Sequence, residues 1–92
     1  MIVRIATEGQ YRLPDGDADR LNDLDNDAVD AVESGDEERF AEVFASMLEL
    51  VRSDGTRIGD DELEESDVIL PPPDTTFAEA GEQFTGDGLI PD

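Results

Sequence analysis

Ile2-Val3-Arg4-Ile5-Ala6-Thr7, turning through Glu8-Gly9 into Gln10-Tyr11-Arg12-Leu13, decides how the fold begins. Apolar and polar residues alternate along both runs, so residues 1–13 read as a β-hairpin. Period-two geometry sends Val3, Ile5, Tyr11 and Leu13 to one face and Arg4 and Arg12 to the other. Pro14-Asp15-Gly16 ends the second strand.

Beyond the hairpin the apolar spacing changes from two to three and four. Leu21, Leu24, Ala28, Val29 and Val32 form one stripe between Asp17 and Ser34, with aspartates on the remaining surface, which predicts an amphipathic helix. Gly35 suits its C-cap, and Asp36 suits the N-cap of a second helix over Glu37 to Ser53. That helix carries Phe40, Val43, Phe44, Met47, Leu48 and Val51 on one stripe, and Glu37 and Glu38 favour its positive N-terminal end. So short a connection predicts an antiparallel helical hairpin over residues 17–53, ended by Asp54-Gly55. Thr56-Arg57-Ile58 and Val68-Ile69-Leu70 read as a second hairpin over residues 56–70, with an acidic loop from Gly59 to Asp67. After Pro71-Pro72-Pro73, Asp74 is placed to cap a short helix reaching about Phe84, weakened by Gly81. Thr85 to Asp92 read as a turn and an apolar tail. The expected architecture is a single α+β domain over residues 1–92. Its four-stranded antiparallel sheet is built from two hairpins, with an antiparallel helix pair across one face and a short helix in residues 71–92.

Composition narrows the function. Asp and Glu number 26 against 6 arginines, with no lysine, histidine or cysteine, giving a formal net charge of -20. Gripping a nucleic-acid backbone requires cations that displace its counterions, so direct nucleic-acid binding is excluded, as is attraction to an anionic membrane surface. Two like charges about 8 Å apart in water repel by roughly 0.5 kcal/mol, and molar salt shortens the screening length to about 3 Å. Absent lysine with abundant Asp therefore suits the cytoplasm of a salt-accumulating microbe; ordinary acidity in an Arg-preferring genome is the plainer reading. Without cysteine there is no disulfide framework, thiolate metal site or cysteine nucleophile. No apolar run is long enough to span a bilayer and the chain enters strand-like sequence without a basic leader, so a cytoplasmic protein without direct membrane insertion is expected.

Chemistry finds little support. Asp15, Asp17, Asp19 and Asp23 invite a calcium reading, but the sixth loop position is Arg20 rather than glycine and the twelfth is Asn26 rather than glutamate. No metal site is expected. Carboxylate pairs are too abundant to mark catalysis, and no serine has a histidine base, so neither an enzyme nor a catalytic residue is expected. Gly86-Asp87-Gly88 lacks the helix and lysine of a phosphate-cradling loop, and no cofactor is implied. Phe77 and Phe84 are better used in the chain's own core than in a partner's groove. For partner binding, strand alternation would gather Arg4, Arg12 and Arg57 on the exposed sheet face, with Ile2 and Ile69 adding apolar contact. Leu89 and Ile90 offer an alternative contact in the tail.

Several segments also carry a likeness. Met1-Ile2-Val3-Arg4-Ile5 with Glu8-Gly9-Gln10-Tyr11-Arg12, Asp19-Arg20-Leu21-Asn22-Asp23-Leu24-Asp25, Asp60-Asp61-Glu62-Leu63, Ser66-Asp67, Leu70-Pro71-Pro72 and Gly88-Leu89-Ile90-Pro91 together resemble PspAA, the PspA-associated protein family. The resemblance implies a small α+β protein encoded beside PspA, a helical, membrane-binding protein of phage-shock-like envelope-stress systems. It implies a non-enzymatic accessory acting through protein contacts with a PspA-like coiled coil, recruited through it to the inner face of the membrane. Charge alone leaves two other readings open. One is an acidic decoy that mimics nucleic acid towards a DNA- or RNA-binding protein; the other is a cation-binding module.

Overall fold

A computed structural model describes residues 1–62 and 64–84; Leu63 and residues 85–92, with the candidate contacts Leu89 and Ile90, lie outside the described residues. The elements follow as β1 (Ile2–Ile5), β2 (Gly9–Arg12), α1 (Asp15–Ser34), α2 (Glu37–Asp54), β3 (Thr56–Arg57), β4 (Val68–Leu70) and α3 (Phe77–Gln83), with a single 3-10 turn at Asp60–Glu62. The α+β class, the four-stranded sheet, the packed helix pair and the short C-terminal helix agree with the sequence.

Strand pairing departs from expectation at one place. The order is β3-β2-β1-β4; β1 pairs antiparallel with β2, and β2 with β3, but β4 lies parallel to β1. Thr56–Arg57 and Val68–Leu70 therefore do not form a hairpin: they occupy opposite edges of the sheet. Both run in the direction of β1, so residues 59–67 must cross the sheet from the end of one edge strand to the start of the other. The crossing spans about 14 Å of sheet width, well within the reach of that length of chain. The physical reason is that the strong hairpin β1–β2 takes the centre and leaves one free edge on each side, and each short strand fills one of them.

The helices cover one face. Val3, Ile5, Tyr11, Leu13, Val68 and Leu70 point from the sheet into a core shared with Leu21, Ala28, Phe40, Phe44, Met47 and Val51 of the helices. Each large apolar side chain fully buried there contributes about 1.5–3 kcal/mol relative to exposure. Phe84 is buried and Phe77 half-buried; Phe40 stacks on Phe44 at 5.5 Å and meets Phe77 and Phe84 edge-on at 5.8 and 5.4 Å, which docks α3. Asp25 breaks the pattern of surface aspartates. It is 0% exposed, on the side of α1 that Leu21 and Ala28 occupy, and it has an interaction partner in the fold.

The caps explain the boundaries. Gly35 adopts the left-handed conformation, φ 73°, that closes α1, and Asp36 Oδ1 accepts from Arg39 N at 3.1 Å to open α2. α3 is capped by Thr76 rather than Asp74. Thr76 Oγ1 accepts from Glu79 N while Glu79 Oε1 accepts from Thr76 N, and the reciprocal box satisfies two backbone donors that Asp74, two residues too early, cannot reach.

Candidate partner-binding face

The face of the sheet turned away from the helices is built from β1, β2 and β4. Register places Arg4 between Gln10 and Ile69, and Ile2 beside Arg12, so these side chains emerge together. Ile69 is 58% exposed, an exposed large hydrophobe among the described residues. Arg4 is exposed, and its guanidinium has neither hydrogen bond nor ion pair with any described residue.

Arg57 does not join this group. It pairs with Tyr11, so it lies on the helix side of the edge strand, and its Nη2 donates to the Glu8 carbonyl at 2.9 Å. Alternation expected the reverse, and a one-residue difference in register suffices to exchange the faces. Ile58, next along the chain, is buried outside the main core, in a small pocket that it lines with Arg12, Thr56, Arg57 and Glu62.

Glu64 and Ser66 lie against this outer face and partly cover it. Gln10, buried on the outer side, is the latch: its Nε2 donates to Ser66 Oγ at 2.7 Å and to the Glu64 carbonyl, while its Oε1 accepts from Glu64 N at 3.1 Å. Arg12 is bound to the Glu64 carboxylate, and Asp67 Oδ2 accepts from Ile2 N at 2.8 Å. A polar side chain can be buried here because both ends of its amide are satisfied. Sequence reasoning passed over Gln10, for which only an amide at an otherwise outward strand position gave a signal. Arg12, Arg4, Ile2 and Ile69 remain as an open strip beside the latched loop, and Arg12 has spent part of its charge on Glu64.

Arg39 and Arg52 hold the frame. Arg52 Nε donates to Glu8 Oε2 at 3.0 Å and its Nη2 to Oε1, tying the first hairpin turn to the end of α2. The hydrogen bond from Arg52 holds the Glu8 carboxyl below its ordinary value, aided by the charges of Arg52 and Arg57. Arg39 reaches Asp30 at 3.2 Å and Asp27 at 3.7 Å, joining α1 to α2. Where the start of α1 meets the end of α2, Asp17 is raised by partial burial and by the adjacent carboxylate of Asp54, with Arg20 opposing. No group of three or more His, Cys, Asp or Glu among the described residues is placed to hold a metal ion. No helix among them is long and apolar enough to cross a membrane.

No curated protein and no solved structure matches the chain. A family model, described as PspA-Associated protein, matches residues 1–92, the entire sequence. With a whole-length match and the α+β fold its segments led us to expect, the chain belongs to the PspAA family.

Proposed function

We propose that this protein is a non-enzymatic accessory of a PspA-type membrane-stress response and acts by binding a PspA-like coiled coil. Family membership supports association with PspA, and the contact is assigned to the strip Ile2, Arg4, Arg12 and Ile69. The observation that carries the assignment is Arg4: an exposed guanidinium without an ionic partner among the described residues, beside exposed Ile69, on a molecule of net charge -20. An acidic helix could engage that guanidinium bidentately while an apolar residue covers Ile69. Arg57 contributes by holding the Glu8 turn rather than by touching the partner. Recruitment to the inner face of the membrane then runs through PspA, since an anionic chain has no attraction of its own for anionic lipid. Co-purification with the PspA-like protein of the same organism tests this. Arg4→Gln combined with Ile69→Ser should weaken capture about tenfold or more with little change in melting temperature. Undiminished capture by that variant overturns the surface assignment, and no capture by the unaltered protein overturns the function.

A further inference from the structure

A second surface lies on the opposite side of the molecule, between α2 and residues 73–77. It is a groove of about 390 Å³ whose lining includes Phe40, Ala41, Phe44, Ala45, Leu48 and Phe77. Its floor is preformed, because Phe40 is fixed by ring contacts to Phe44, Phe77 and Phe84. Ala41 and Ala45 are exposed and one turn apart, so a second helix can approach the α2 backbone closely there. From Glu37 to Leu48 the groove follows α2 for about 16 Å, room for about three turns of a bound helix.

Its rim is acidic. Glu37 lines the groove, and a rotation of 100° per residue sets the exposed Glu38, Glu42 and Glu49 beside the Ala41–Ala45 edge. The two cations of α2 are engaged elsewhere, Arg39 with Asp27 and Asp30 and Arg52 with Glu8. A second copy of this chain, itself of net charge -20, or an acidic peptide would meet like charge at this rim. We infer that the groove receives an amphipathic helix with an apolar stripe flanked by lysine or arginine. The apolar stripe fills the phenylalanine floor, and the flanking cations pair with the glutamate rim. This surface is separate from the sheet strip and does not rest on the reading given to it.

The full chain, titrated with a Leu/Lys amphipathic helical peptide and with a scrambled isomer of equal charge, supplies the test. The amphipathic peptide should bind about tenfold tighter or more, with NMR shifts centred on Ala41, Ala45 and Phe77. Ala45→Glu adds negative charge while blocking the groove, so the two kinds of attraction predict opposite signs. Groove binding falls about tenfold or more, whereas charge attraction alone would rise. Ala41→Glu serves as the second variant; both sit on an exposed helical face, and an unchanged melting temperature confirms that each is folded. Arg4→Gln should leave peptide affinity unchanged. Equal binding of the two peptides, or binding that persists in both glutamate variants, overturns the proposal. So does a tenfold gain in affinity on Leu89→Ser with Ile90→Ser, which would give the groove to the chain's own tail.

Discussion

Glu8 and Asp17 respond to acid in opposite directions, and their neighbours say why. The Glu8 carboxyl is held below its ordinary value chiefly by the hydrogen bond from Arg52, so its stabilisation is present above the ordinary carboxylate range and is lost as pH falls through the lowered value. Asp17 is raised by partial burial and then by Asp54; the protonated form is favoured in the fold, and stability is lost as pH rises through the raised value. Glu8→Gln should therefore lower the melting temperature at pH 7, with the loss shrinking as pH falls through the lowered value. Asp17→Asn should raise it at pH 7, with the gain shrinking at pH 3 and in molar salt; thermal melts across that grid check both signs. Neither partnership was legible in the sequence, because 26 carboxylates offer many pairings and no local pattern chooses among them. Asp25 illustrates the same difficulty: among so many surface aspartates, the buried one carries no mark beyond its helical phase with Leu21 and Ala28.

Helices were legible to within a residue or two because each contains its own hydrogen bonds and its own apolar stripe. α2 matches at its start and runs one residue further than expected, to Asp54, and Gly35 and Asp36 cap as their residue types predict. The sheet was legible in its strands but not fully in its pairing: period two says which residues share a face, not which edge a strand will occupy. That is why β4 beside β1, and Arg57 opposite Tyr11, had to be seen. Of the candidate site, Arg4, Arg12, Ile2 and Ile69 were placed by alternation alone, while Arg57 required the register. At the end of α2, Gly55 is demanded by close approach, since a Cβ there would stand 2.4 Å from the Val51 carbonyl oxygen and 3.1 Å from Tyr11 Cβ. Gly55→Ala should lower the melting temperature clearly, because backbone must move to admit it. Gln10→Leu would leave the Glu64 backbone N–H and the Ser66 hydroxyl without their partner. Hydrogen exchange should then quicken across residues 64–67 while α1 and α2 keep their protection.

At the scale of the whole molecule, charge opposes compaction. Screening should relieve that opposition, so the melting temperature should rise from low to molar potassium chloride, and a flat or falling profile would argue against adaptation to a salty cytoplasm. The phenylalanine cluster should respond differently. Phe84→Ala removes a buried ring that touches Phe40 and Phe44 and should lower stability by about 3–5 kcal/mol at any salt concentration, measured by denaturant unfolding. The parallel strand at the sheet edge also sets a timetable. Ile2 and Asp67 are bonded across a separation of 65 residues, and β1 completes its ladder only when β4 arrives. The hairpin and the helix pair can assemble from near neighbours, but this seam joins residues 65 apart in a chain of 92 and adds its own entropic barrier. During synthesis the free side of β1 therefore waits, unpaired, until residue 70 has left the ribosome, so substitutions in Val68–Leu70 should speed unfolding more than they slow the early steps of folding.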